Sequence, residues 1–557
     1  MLNNFVRILG VFILLLGFVL WGQLRSGAYA DEFGGHPDEA AHFVSALMVR
    51  DYIAQLCAEN SIVHPKDFAE AYYESYPKVA IGNWPPGFHL LQAIWMLVLE
   101  PGQGSIFLLM AFLTAGLGTA TFLAARSYLG RPWALAACML LVVFPVVQKY
   151  SSLVMTEILL GLLVFSAVSF YARFLDTKHW SWSLGFGLFA SMAILVKGSA
   201  FSLALIPPLA VVFLRRWHLL KKFVFWLPAI VVGLLCAPWY VFTLEVATDG
   251  WAGDSPSFEF FVEAFFYNLK KLLETGGPII LLLAFFGLAR TCLARKNSEI
   301  ERAEPSAFFS LLGILFLIVP LFHCIVPAGM EHRHLIPMLP SFAIFTVVGV
   351  RELCQKLEKK GSVLSGRRLC WVICGLALAG MFLVASPTYH KGYSGFRSVV
   401  EELYKVEDWP GPVLISSDSS GEGMFVAESA LADSDRPSKT VVRATKLLAE
   451  SKWSGGNYKA SYADTDGLRR LLVNERFWAI VIDGAVKKAR PDNYSRFRHM
   501  KDLEDVCREL QLAERFTIFR GNTEYEGDIV LYRNPKFQLP EKTDFSKLEG
   551  SASKEED

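Results

Sequence analysis

The chain reads as a succession of apolar runs, each about the length of a bilayer crossing and each closed by a short charged or turn-forming segment. The first run covers residues 5–24, and others centre near 117, 140, 164, 189, 207, 233, 286, 317, 342 and 378. A helix needs roughly 20 apolar residues to cross the hydrocarbon core, so the pattern predicts about 11 transmembrane helices. The run at 86–99 is too short for a comfortable span and predicts a re-entrant or interfacial helix. Ala28-Tyr29-Ala30 resembles a signal-peptide cleavage site, but the run before it is long enough to be a retained span. Beyond residue 387 the pattern changes. A Gly-, Ser- and Tyr-rich loop at 388–398 leads into short strands at 412–416, 478–483, 516–520 and 528–532, with helices at 421–431, 466–475 and 494–511.

Composition agrees with this division. Of 557 residues, 53% are hydrophobic and 19% charged, which is too apolar for an ordinary soluble domain. The predicted fold is mainly α: a polytopic membrane domain over 1–387, an α/β domain of ordinary size over 388–540, and a charged, disordered tail over 541–557. A net charge of +1 leaves no basic excess, and no nucleic-acid partner is expected. Charge also orients the spans. With the N-terminus cytoplasmic, the inner loops hold 18 Lys and Arg; past the first loop, the outer loops hold five, namely Lys149, Lys197, Lys270, Lys271 and Arg333. An odd number of spans then puts the C-terminal domain outside.

This topology gathers the notable polar residues on one side of the membrane. The first outer loop, 25–104, carries His36-Pro37-Asp38-Glu39, then Tyr72-Tyr73-Glu74, then Asn83-Trp84-Pro85-Pro86-Gly87-Phe88-His89. Glu157 opens an apolar helix, Lys197-Gly198 separates two runs, an aromatic loop fills 244–276, and Glu331-His332-Arg333-His334 precedes a Leu- and Pro-rich span. Ionisable groups at membrane depth are costly to leave unpaired, which makes them functional candidates. Asp38-Glu39 also suits an ordinary helix start, Glu157 a solvated cap, and Arg333 a headgroup contact. Asp38 and His42 lie i, i+4, but a third metal ligand at helical spacing is missing, so His42 reads as a packing residue.

In these features the chain resembles the GT-C polyprenyl-phosphate-sugar glycosyltransferases, in particular the branch of protein O-mannosyltransferases and lipid A aminoarabinose transferases. The resemblance covers about residues 1–390. In that family an Asp-Glu pair follows the first span, a Pro-Pro segment opens a surface helix, an acidic residue closes the second outer loop, and an Arg-aromatic pair precedes a Leu-Pro-rich span. Asp38-Glu39, Pro85-Pro86, Glu157 and Arg333-His334 stand at those positions. Glu157 replaces a frequent Asp and His334 a common Tyr. The resemblance implies an inverting transferase in a bacterial plasma membrane. It would use a polyprenyl-phosphate sugar donor and a lipid, glycan or protein acceptor, with a divalent cation (Mg or Mn) as an optional cofactor.

The chemistry can be assigned on its own terms. A base must take the acceptor hydroxyl proton, and cations must receive the departing phosphate, itself too weak a base to need a general acid. Asp38 is the candidate base, with Pro37 suited to the first helical turn and Glu39 orienting it or bonding the sugar. Glu157 positions a substrate or joins Asp38 on a metal. Arg333 is the foremost phosphate ligand, with Lys197, His332 and His334 behind it. Tyr72, Tyr73, Trp84, Trp239, Tyr240 and Trp251 read as interfacial belt residues before sugar platforms; Tyr73, Trp84 and His89 are the substrate-contact candidates. Segment 416–423 follows a strand and precedes a helix, the place of a ligand loop or of a structural turn. Two rival functions remain: a lipid-substrate transporter, against which the chain shows no internal repeat, and a non-catalytic envelope scaffold, for which Asp38 would be dispensable.

Overall fold

The computed structural model describes residues 2–58, 63–80, 82–244, 256–292, 307–327, 329–359, 375, 392–405, 409–450, 457–473, 477–508, 513–520 and 525–533. The chain divides into two compact units. One comprises Met1–Arg25, Gly82–Phe88 and Leu108–Tyr389; the other comprises Ser26–Ile81, His89–Phe107 and His390–Asp557. Most of the first outer loop therefore folds in one unit with the C-terminal region, and the compact units do not follow a single cut near residue 387.

In the first unit, hydropathy dictates helices because no polar partner other than the backbone's own is available in lipid. Among the described residues seven helices are long and apolar enough to span a membrane: Asn4–Arg25, Gln103–Leu129, Glu157–Thr177, Phe223–Phe242, Phe258–Cys292, Ala307–Ile325 and His332–Lys356. Of the 11 runs read from sequence, seven are such helices among the described residues, or eight with a bent pair, and the other runs differ for local reasons. The run near 140 is two helices, Arg131–Val143 and Pro145–Ser151, meeting at 65°. Pro145 has no N–H to continue the first helix, and Phe144 before it is extended at ψ 130°. The runs near 189 and 207 form the shorter helices Trp180–Val196 and Gly198–Leu214, divided at Lys197, which is extended at φ −159°. The run near 378 lies outside the described residues. Gly87–Val98 is a short apolar helix. Residues from 258 on, expected in an aromatic loop, are helical, and the Phe258–Cys292 helix breaks at Gly277, where φ is +75° ahead of Pro278. Phe223, Leu234, Val241, Phe242, Ile279 and Leu282 are exposed, as lipid-facing residues are.

The second unit contains a five-stranded sheet in the order β2-β1-β5-β7-β6. Strands β1 (Val413–Ser416), β2 (Val441–Arg443) and β5 (Ala479–Asp483) run parallel, whereas β6 (Ala513–Arg520) and β7 (Tyr525–Arg533) are antiparallel additions. A two-stranded ladder joins β3 (Ala449–Glu450) to β4 (Lys459–Ala460). Fully buried β1 and β5 read as unbroken apolar runs, as parallel strands covered on both faces do. Leu414, Ile480 and Ile482 pack with Leu468, Leu472, Leu503 and Val506 in one core. The loop residues are tied in by hydrogen bonds. Glu32 accepts the backbone N–H groups of Gly395, Phe396 and Arg397 at 2.8, 3.2 and 2.8 Å, where the Phe396–Tyr404 helix starts. Asp51 pairs with Arg436 at 2.8 Å, Gln103 donates to Glu428 at 3.0 Å, and Tyr76 donates to Asp433.

Candidate active site

Three element ends meet in the first unit. Glu157 starts the Glu157–Thr177 helix, Lys197 ends Trp180–Val196, and Arg333 lies in a 3-10 turn, His332–Met338. The Glu157 side chain is 1% exposed, and its Oε1 accepts from Lys197 Nζ at 2.6 Å and lies 3.5 Å from Arg333 Nε. Its Oε2 is buried and accepts no hydrogen bond among the described residues. Arg333 also pairs with Glu331 at 2.7 Å. His334 stacks on His323 with ring centroids 4.4 Å apart, and His332 Nε2 meets Thr275 Oγ1 at 2.8 Å. Lys197, with a side chain 26% exposed, is the most open member of the ion cluster apart from Glu331. Two cations thus converge on one buried carboxylate, and Arg333 has a second, more exposed partner in Glu331.

In the second unit the acidic pair stands where the sequence puts it, at the start of the Glu39–Ala58 helix. Asp38, 14% exposed in its side chain, lies 3.5 Å from His36 Nδ1, while buried Glu39 accepts the Gly35 N–H at 2.9 Å. His42, one turn on, meets His89 at 3.1 Å between ring nitrogens. Lys78, unremarked in the sequence, donates from Nζ to the Ser419 carbonyl at 2.9 Å and to its hydroxyl at 3.1 Å.

Comparison with known proteins separates fold from incidental likeness. The family described as dolichyl-phosphate-mannose-protein mannosyltransferase matches residues 83–242, a stretch containing Trp84, Pro85-Pro86, Glu157 and Lys197. The structure of ArnT from Cupriavidus metallidurans in the apo state is similar with a TM-score of 0.60 at 14% identity, covering 96% of this chain and 99% of that one. Bound to undecaprenyl phosphate, ArnT gives 0.56 at 12%, with the same coverage. The Archaeoglobus fulgidus oligosaccharyltransferase tethered with an acceptor peptide containing the NVT sequon gives 0.52 at 10%, covering 96% and 74%. The chain has the fold of ArnT. No curated protein matches it in sequence. The resemblance to GT-C glycosyltransferases read from the sequence is thereby borne out.

On this scaffold the predicted residues fall into two sets. Glu157, Lys197, His332, Arg333, His334 and Trp84 belong to the first unit; Asp38, Glu39, Tyr73 and His89 belong to the second. Tyr73 and Trp84 are half-buried, and His89 is engaged by His42. Among the described residues no three His, Cys, Asp or Glu side chains gather as metal ligands. Glu157 already faces Lys197 and Arg333, whose charges oppose a divalent ion there, so the Asp38–Glu157 metal pairing expected from sequence is carried no further. Segment 416–423 proves to be a turn closed by a helix cap and by ion pairs with neighbouring strands. Asp418 caps the Ser419–Ala432 helix through the Gly421 N–H at 2.9 Å, and buried Arg520 spans Asp418 at 2.8 Å and Asp483 at 2.7 Å.

Proposed function

We propose that the protein is an inverting, membrane-embedded glycosyltransferase that moves a sugar from a polyprenyl-phosphate carrier to an acceptor hydroxyl at the outer face of a bacterial inner membrane. The observation that carries this reading is the ion cluster in which Lys197 and Arg333 are held by the single buried carboxylate of Glu157. A phosphate leaving group requires such fixed cations, and a guanidinium beside an ammonium offers both bidentate and point-charge contacts. Supporting it are the ArnT-like fold, the matched family stretch and the charge bias of the loops.

In the proposed step the acceptor oxygen attacks the anomeric carbon as the carbon–oxygen bond to phosphate breaks. The acceptor proton passes to Asp38, and the electron pair leaves with the polyprenyl phosphate, which Arg333 and Lys197 stabilise. One displacement inverts the anomeric centre. Purified protein in detergent, given a panel of radiolabelled polyprenyl-phosphate sugars and an acceptor extract, tests this. The wild type is expected to release one labelled sugar, Asp38→Asn to lose about 100-fold or more in rate, and Arg333→Ala to weaken donor use about tenfold or more. Turnover of no donor, or full activity in both variants, would overturn the proposal.

A further inference from the structure

The second unit contains a lysine that the proposed reaction does not use and that the fold takes trouble to bury. Lys78 is 9% exposed, yet lies among four charged groups. Arg443 comes from β2, Glu422 from the first turn of the Ser419–Ala432 helix, Asp418 from its cap, and Asp38 from the acidic turn. Its Nζ is fastened to both oxygens of Ser419, the first residue of that helix. Two further ion pairs hold the helix end in place: Glu422 with Arg443 at 2.8 Å, and Asp418 with Arg520 at 2.8 Å.

The same helix abuts the acidic turn. A Cβ added at Gly423 would meet the Lys78 Cε at 3.0 Å and the Ala40 Cβ at 3.1 Å, so the stem of Lys78 and the side of Ala40 both pack closely on the helix at this glycine. Ala40 is two residues from Asp38. The C-terminal sheet domain therefore presents one helix end, and one anchored ammonium, to the turn that carries the candidate base.

We propose that Lys78 is a positioning residue for Asp38, held in place by the Ser419–Ala432 helix, and that the C-terminal domain thereby takes part in the transfer reaction. The inference rests on the reading of Asp38 as the base. Charge is what makes the device work: the ammonium attracts the Asp38 carboxylate and fixes its direction, whereas a neutral amine of the same shape does not. Burial, reinforced by Arg443, pushes Lys78 down to about 7, with Glu422, Asp38 and Asp418 opposing that fall. The positive charge is thus present below about pH 7 and is lost above it, within the range where a rate can be measured.

The test is the pH profile of kcat/KM from pH 5.5 to 9.5. It uses the full-length protein and whichever polyprenyl-phosphate sugar the wild type turns over, with the melting temperature as a folding control. The wild type is expected to fall in rate above about pH 7, following the Lys78 charge. Lys78→Met is expected to be about tenfold slower at pH 6 and to lack that fall, and Lys78→Arg, which cannot lose its charge, to keep its rate through the alkaline range. If Lys78→Met does not fold, Lys78→Arg decides alone: an alkaline fall unchanged from wild type overturns the proposal. A slower Lys78→Met with a lower melting temperature but the wild-type profile overturns it too, because it marks a structural lysine. Asp38→Asn separates the two ideas. If it abolishes turnover while the Lys78 variants behave as wild type, only the positioning role fails; if it is fully active, the reading of Asp38 falls and this inference with it.

Discussion

Glu157 shows how one side chain changes meaning between sequence and structure. In the sequence it is an acid at the head of a span, equally suited to touch a substrate or to cap a helix. In the structure its Oε1 faces Lys197 and Arg333 and the side chain is 1% exposed, so its part in the chemistry passes through those cations. Removing it takes from Lys197 its carboxylate partner and leaves Arg333 with Glu331 alone. Glu157→Ala is expected to cost about 3–5 kcal/mol of stability, the penalty for breaking a buried pair from one side. Glu157→Gln, similar in shape, is expected to keep more stability but to raise the donor KM about tenfold, because Lys197 and Arg333 lose the charge that aligns them. Thermal unfolding in detergent and donor-dependence curves check the two; an unchanged KM in Glu157→Gln would remove Glu157 from the phosphate site. The partners of Glu157 were legible because Lys197 is a lone charge between two apolar runs and Arg333 lies in a short charged cluster just before another. Lys78 was not, since its anchor Ser419 lies 341 residues further along the chain and nothing near Pro77-Lys78 signals it.

Helices repeat the lesson at a larger scale: hydropathy locates them and backbone chemistry decides their lengths. Every apolar centre that falls within the described residues is a helix, but Pro145 bends one run by 65° and the extended Lys197 divides another, features that a hydropathy window averages away. Closeness of packing is also hidden in the sequence. Gly287 in the Phe258–Cys292 helix and Gly349 in Leu339–Lys359 look like unremarkable small residues, yet a Cβ at Gly287 would stand 2.0 Å from the Phe345 carbonyl oxygen and one at Gly349 2.1 Å from that of Leu283. The two helices touch backbone to backbone, the arrangement that small residues permit where lipid offers no hydrophobic drive to association. Gly349→Ala must push them apart. A loss of about 1–3 kcal/mol is expected, with Gly287→Ala similar and the pair less than additive because both relieve the same overlap. Melting temperatures of the two single variants and the double variant measure this, and an Ala at either site without effect would mean that the helices are not in contact there. Four strands of the five-stranded sheet were legible, the partly exposed β6 and β7 as well as the buried β1 and β5; β2, only three residues long, was not.

At the scale of the whole chain, sequence composition draws a boundary near residue 387 and the fold draws a different one. Residues 26–81 and 89–107 are interrupted by the Pro-Pro segment and separated from 390–557 by most of the spans, yet they form one compact unit with it. The reason is that polar groups of the loop find partners in the C-terminal region. Glu32 is satisfied by three backbone N–H groups at 395–397, Asp51 by Arg436, Gln103 by Glu428 and Arg397, and Lys78 by Ser419. A chain ending at residue 389 strips Glu32, Gln103 and Lys78 of these partners and leaves Asp51 only Arg50 and Tyr72. Each buried polar group left unmade costs about 1–3 kcal/mol, so the loop cannot hold its structure on that sum. The truncated chain is therefore expected to insert its spans but to expose residues 26–81 to protease and to lose transfer entirely. A scaffold whose C-terminal domain does the binding predicts the reverse, an isolated domain that keeps the function. Limited proteolysis of membranes containing the full-length or truncated chain, followed by the transfer assay, decides between them. A truncated protein with a protected loop and wild-type turnover would show that the sheet domain is an appendage, and would leave Asp38 to be positioned by the N-terminal residues alone.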